Sequence, residues 1–165
     1  MNYPEVGRSA SGTLPSGYRH LRESAVITSP LAEAADFLLG WHLHRAMGLK
    51  PRADAARAEP GAAVTLHFAG LAAPCRVVWA VRNPQRAGFA YGSTDGHPEC
   101  GEACFMLERI DDRRTRFSVT SFSRPGRWYT RLGAPVARVL QARATRHFVD
   151  RMALRFQVGT DAAAS

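Results

Sequence analysis

Lysine is almost missing from this chain. Lys50 stands alone among 22 basic residues, and all the others are arginine. Cysteine is scarce as well, with three in 165 residues. An odd count at unrelated spacings excludes a disulfide framework and fits reduced thiols in a cytoplasm. No apolar run approaches the ~20 residues that a membrane-spanning helix needs. The opening MNYPEVGRSASG has no basic stretch followed by an apolar one, so no signal peptide is expected. There is no internal repeat and no G-x-S-x-G nucleophile elbow. What remains, at 45% hydrophobic and 22% charged residues, is an ordinary globular composition, long enough for one domain with a real core. The expectation is a cytoplasmic protein.

Acid is short in one place. Between Arg124 and Arg155 lie eight arginines and a single acid, Asp150, so nearly all of the net charge of +8 sits in one segment. Such a segment is either a solvated helix face or a surface for RNA, DNA or anionic lipid. It lacks the interleaved aromatics of base-stacking modules, which favours the first.

Residues 1–17, with three glycines and two prolines, read as irregular chain. A first strand is expected over 18–27. Ser29 as N-cap and Pro30 at the first helical position then open a helix, with Gly40 able to split it and Gly48 to end it. Residues 50–62 read as a polar connection. After them the apolar period becomes two: Val64, Leu66 and Phe68; Val77, Trp79 and Val81; Phe89 and Tyr91; Ala103, Phe105 and Leu107; Phe117 and Val119. His67, Arg76, Arg82, Glu102, Glu108 and Arg116 take the other parity, the mark of a sheet covered on one face. A long helix follows Pro135, with Val136, Val139, Leu140, Ala144, Phe148, Met152 and Phe156 as its apolar stripe. The fold class is α+β: a curved antiparallel sheet of about six strands wrapped around a C-terminal helix, with one domain over 18–156 and a polar tail over 157–165. This order is similar to the helix-grip architecture of START domains and birch-pollen-allergen-like proteins.

The stretch GFAYGSTDGHPECGEACF, residues 88–105, holds the chemistry-bearing side chains. His97, Cys100 and Cys104, with Cys75 as a fourth ligand, resemble a zinc set. No second paired motif supports it, so no metal and no cofactor are expected. His97 beside Glu99 and Glu102 is an acid–base candidate. The pleat puts Glu102 on the wet face, where a cross-strand arginine would meet it. Gly92–Gly101 is longer than an ordinary hairpin connection and reads as a shaped loop.

Several motifs together carry a resemblance that covers about Tyr3 to Met152. They are G-F-x-Y-G, G-H-x-E-x-G-E and F-S-R-P in that order, with PCRVVW and YPEVG…LPSGYRH. They resemble the domain-of-unknown-function family numbered nineteen-ninety, also called uncharacterised protein family five-forty-eight. The resemblance implies a helix-grip fold and no particular activity. His97, Glu99, Gly101 and Glu102 match its motif. Cys100 and Cys104 depart from it, as do Ala103, where the family often has a second acid, and His147–Phe148.

Three functions stay open. The first is a binding module for a small hydrophobic or amphipathic molecule, in a cavity walled by Trp79, Phe89, Tyr91, Phe105, Phe117, Trp128 and Tyr129. Tyr18, His97, Glu99 and Arg124 would stand at its mouth. The second is an enzyme using His97, Glu99 and Glu102. The third is an anionic partner held by the arginine-rich segment. The oligomeric state is not legible.

Overall fold

The computed structural model describes residues 1–126 and 134–157, with side chains up to Gly126 and from Arg143 to Phe156. Chain order is a 3-10 turn (Arg8–Ser11), β1 (Arg19–Thr28), α1 (Leu31–Leu39), α2 (His42–Ala46), β2 (Lys50–Ala53), β3 (Ala63–Phe68), β4 (Leu71–Arg82), β5 (Arg86–Ser93), β6 (Glu99–Arg109), β7 (Arg114–Pro125) and a long helix, α3 (Ala134–Gln157). The strands form one antiparallel sheet in the order β1-β7-β6-β5-β4-β3-β2. This is the α+β helix-grip architecture.

Four local expectations are corrected. The sheet has seven strands, because Lys50–Ala53 pairs with β3 inside the stretch read as a connection. Four residues that include Pro51 are too few to show alternation. The β5–β6 connection is only Thr94–Pro98, since Gly92 and Gly101 lie in strands. Pro30 rather than Ser29 occupies the N-cap of α1, with no side-chain cap bond. The buried Ser29 instead takes a hydrogen bond on its carbonyl from the Thr115 hydroxyl at 2.8 Å. Finally, a bulge between Val77 and Trp79 breaks the parity of β4. Val77 faces the helices, Trp79 faces away, and Arg82 returns to the helix side to meet Asp36 of α1 at 2.7 Å.

The concave face is the core. Ile27, Val64, Val77, Phe89, Phe105, Leu107, Phe117 and Val119 from the sheet meet Leu38 of α1, Leu43 of α2 and Phe148, Met152 and Phe156 of α3, all buried. Truncating one of these phenylalanines to Ala should cost about 3–5 kcal/mol. The split between α1 and α2 at Gly40 is observed. Trp41 takes a left-handed conformation (φ 64), and a Cβ on Gly40 would lie 2.9 Å from both the Asp36 carbonyl oxygen and the His42 ring.

That turn drives His44 into the centre of the core. The ring is fully buried among Trp41, Phe89, Tyr91, Phe105 and Phe148, with centroids 5.2–6.0 Å away. Neither ring nitrogen has a hydrogen-bond partner among the described residues. Burial, with Arg45 adding to it, lowers its pKa from 6.5 to about 3. The unfolded chain therefore binds a proton on this ring below about pH 6.5, and the folded chain does not until about pH 3. Stability falls as pH drops through that window, by up to a few kcal/mol at ~1.4 per pH unit. His44→Leu should raise the unfolding free energy at pH 7 by about 1–3 kcal/mol by removing two orphaned nitrogens. It should also flatten the acid limb of a stability–pH curve measured by urea unfolding; an unchanged limb would contradict this.

Candidate functional site

The aromatic plug does not fill the grip to its ends. Past Tyr91, toward the Thr94–Pro98 turn, a cavity of about 270 Å³ remains. Polar groups enter its largely apolar wall because the core parity of two strands turns polar. Phe89 and Tyr91 are followed by Ser93 on β5, and Phe117 and Val119 by Ser121 and Ser123 on β7. Glu99 and Ala103 of β6, Leu21 of β1, Cys75 of β4, His97 of the turn and Thr145 of α3 contribute to it, and the edges of Glu102 and Phe122 reach it as well.

His97 and Glu99 share this cavity, but they do not meet as imidazole and carboxylate. The Glu99 backbone N–H donates to His97 Nδ1 at 2.9 Å. An N–H can only donate, so Nδ1 is the acceptor and the neutral ring carries its proton on Nε2. Burial lowers the His97 pKa, while the Glu99 carbonyl oxygen, 3.0 Å from Nδ1 and able to accept from a protonated ring, opposes that shift. Burial raises the Glu99 pKa, against the Ser123 hydroxyl bonded to its carboxylate and the charge of Arg19. An acid pushed up and a base pushed down thus face one space. Tyr91 adds a phenol whose pKa burial raises far above its usual value, and whose hydroxyl donates to nothing among the described residues. The Cys75 thiol, pushed up to about 12 by burial, is inert at neutral pH.

The other expected residues lie elsewhere. Phe89, Phe105 and Phe117 are fully buried plug residues. Trp79 stands on the outer face, turned there by the β4 bulge, and its indole N–H donates to Ser9 Oγ at 3.3 Å. Tyr18 and Arg124 form an outer-face cluster. The guanidinium lies 4.8 Å over the Tyr18 ring, Phe122 packs edge-on at 5.1 Å, and the phenol donates to Glu5. Burial, helped by Glu5 and opposed by Arg124, pushes that phenol up to about 12. Trp128 and Tyr129 lie outside the described residues. Cys75 and the pair Cys100 and Cys104 are on opposite faces of the sheet, and the described residues hold no group of three or more His, Cys, Asp or Glu able to share an ion. Along α3, Arg143, Arg146, Arg151 and Arg155 are exposed; Arg146 lies 3.7 Å from Glu23, and Arg155 stacks on Phe37 and Phe156.

Glu102 is on the outer face, as the pleat requires, but it is only 3% exposed and meets no arginine among the described residues. The N-terminal segment folds over it. Tyr3 Oη donates to Oε2 at 2.7 Å, Gly7 N–H to the same oxygen at 2.6 Å, and Ser9 N–H to Oε1 at 3.1 Å. The Ser9 hydroxyl donates to Oε1 as well. A buried carboxylate is here satisfied by four donors and, among the described residues, no cation. The strap also reaches the cavity wall, where Ser93 Oγ donates to Asn2 Oδ1 at 2.6 Å and accepts from the Gly101 N–H at 2.9 Å. Two motif glycines make room for this. A Cβ on Gly92 would fall 2.0 Å from the Tyr3 hydroxyl, and one on Gly101 2.0 Å from the Phe122 carbonyl oxygen.

These are the same residues that carry the sequence motif, and a family model described as Domain of unknown function (DUF1990) matches residues 2–151. The chain belongs to this family. A UPF0548 protein of Deinococcus radiodurans is 32% identical to this DUF1990 chain, over 93% of it and 86% of the relative. Among solved structures, the hypothetical protein jhp0584 of Helicobacter pylori aligns with a TM-score of 0.68 at 8% identity, over 84% of this chain and 88% of its own. The ZhuI aromatase/cyclase of Streptomyces aligns at 0.59 and 11%, over 90% and 99%. Norcoclaurine synthase of Thalictrum flavum, solved in complex with dopamine and hydroxybenzaldehyde, aligns at 0.56 and 8%, over 87% and 89%. At such identities these likenesses establish the DUF1990 fold as helix-grip and nothing finer. Among the described residues no helix is long and apolar enough to cross a membrane.

Replacing Glu102 with Ala leaves the Gly7 and Ser9 N–H groups and the Tyr3 hydroxyl without their acceptor. It should lower the unfolding free energy by about 2–4 kcal/mol and speed tryptic cleavage after Arg8. Equal cleavage rates in the variant and the parent would show that the carboxylate does not hold the strap.

Proposed function

We propose that this protein binds a small amphipathic molecule at the polar end of the grip, in the cavity bounded by Tyr91, Ser93, His97, Glu99, Ser121 and Ser123. The observation that carries this reading is the change in wall chemistry: an aromatic plug ends and hydroxyls, a carboxylate and an imidazole begin around about 270 Å³ of space. Pockets for drug-sized ligands run roughly 300–1,000 Å³ and combine an apolar lining with a few placed polar groups. This one fits a small molecule, or the head of a larger one. The wall is narrower in composition than aromatic alternation alone suggested, since Phe89, Phe105 and Phe117 serve the core. The complex of norcoclaurine synthase with dopamine and hydroxybenzaldehyde supports the reading to the extent that one protein of this fold holds small aromatic molecules.

A second reading, proton-transfer catalysis in the same cavity, is favoured by one observation. Glu99 is raised and His97 lowered, which brings an acid and a base toward a common range beside the Tyr91 phenol. Glu102 also borders the cavity, but both of its carboxylate oxygens are taken by the strap.

Native mass spectrometry tests the first reading. The gently purified protein should carry excess mass that is lost on denaturation, and Ala103→Phe, which plugs the cavity, should purify bare while still folding. Excess mass that survives in the plugged variant would place the ligand elsewhere. An apo protein whose melting temperature responds to none of a set of small hydroxylated, aminated and aromatic compounds would remove the binding reading.

A further inference from the structure

The β3–β4 hairpin outruns its neighbours. β4 pairs with β5 only from Cys75 onward, so Leu71–Ala73 has no strand on that side. Leu71 therefore stands four residues, about 13 Å, beyond Cys75. The tip is Ala69–Gly70, both with positive φ (48 and 80), as a two-residue type I′ turn requires. Flanking it, Phe68 and Leu71 face each other directly across the ladder. They are 58% and 69% exposed, the two most exposed large apolar side chains described. Their pleat parity is that of Leu66 and Ala73, so both project on the concave side, the side and end of the molecule where Cys75 and Ser93 line the cavity.

The charge on the strands that carry this tip has one sign, and an exposed acid, Asp95, stands in the β5–β6 turn at the same end, where the Thr94 N–H donates to the Pro74 carbonyl oxygen. Strands β2, β3, β4 and β5 contain no Asp or Glu. Lys50 and Arg52 are exposed on the edge strand, paired with His67 and Thr65 across the ladder, so both project on the convex side, opposite to Phe68 and Leu71. Pro51 removes a backbone donor from that edge, which guards it against another strand adding there. An exposed aromatic–aliphatic pair at a projecting tip, with two cations set back on the other face of the protected edge, matches the chemistry of an anionic lipid surface entered end-on: acyl boundary for the side chains, phosphate and carboxylate headgroups for the cations.

We propose that the Phe68–Leu71 hairpin tip docks this protein reversibly on anionic lipid surfaces, with the cavity end facing the bilayer. The docking does not depend on whether the cavity holds a ligand.

The test is co-sedimentation of the full chain with vesicles of phosphatidylcholine containing about 30% phosphatidylserine, against vesicles of phosphatidylcholine alone. The full chain should pellet with the anionic vesicles and be released as salt rises. Phe68→Ser combined with Leu71→Ser should weaken binding at least about tenfold, because two large apolar side chains no longer leave water, with the melting temperature unchanged. Lys50→Glu combined with Arg52→Glu should weaken it by a similar factor. Failure of the parent protein to pellet with either vesicle would overturn the proposal. So would full binding by the double-serine variant, which would reduce the effect to diffuse charge. A parent dimer in sedimentation velocity that the double-serine variant converts to monomer would also overturn it, by making the tip a contact between copies.

Discussion

A sheet with one apolar face must cover that face, and here the cover is an aromatic plug. Phe89 and Phe105 stack at 5.4 Å, Phe148 of α3 meets Phe105 edge-on at 5.0 Å, and His44 sits between them. Everything else in the molecule is arranged around how far that plug extends. Where it is complete, the grip is a solid core. Where Tyr91 gives way to Ser93 and Val119 to Ser121, the sheet continues with side chains too small to fill it, and a hollow is left whose mostly apolar wall carries hydroxyls, a carboxylate and an imidazole. The cavity follows from the strands being longer than the plug.

The outer face is tied to the same strands. Alternate residues of β6 do opposite work: Glu99 and Ala103 border the cavity, while Glu102 between them anchors the strap. Asn2 reaches Ser93 of the cavity wall, and its amide donates to the Thr94 and Glu99 carbonyls at 3.0 and 3.2 Å. The strap therefore braces the turn that carries His97. The motif glycines belong to this bracing, since they let the Tyr3 ring and the Phe122 backbone come close. Much of what makes the family's sequence recognisable is packing of the strap against the sheet, and the cavity inherits its shape from that packing.

The sequence carried the architecture clearly, because period-two alternation over β3 to β7 and the stripe Phe148, Met152 and Phe156 are strong one-dimensional signals. It misplaced Trp79 because a bulge shifts parity without changing the pattern of letters around it. The outer-face setting of Tyr18, Arg124 and Glu102 is not legible locally, because no local rule announces that residues 1–11 return over that face; Tyr3 meets Glu102 across 99 positions. The serines of the cavity left a readable trace. Ser93, Ser121 and Ser123 sit at core parity at the same end of neighbouring strands, and a polar residue there marks where a core stops. The Ser123 hydroxyl is bonded to the Glu99 carboxylate.

The claim on which the account turns is that the polar end of the grip is a receptive site, and nuclear magnetic resonance reads it residue by residue. Amide spectra of the isotope-labelled protein would be recorded with small amphipathic fragments that carry one ring and one amine or hydroxyl. The account predicts saturable shifts concentrated at Tyr91, Ser93, Gly101, Ala103, Ser121 and Ser123, with the His97 ring responding and the outer-face Tyr18 and Trp79 silent. Shifts that map to the outer face, or none at the cavity residues for any fragment, would contradict it.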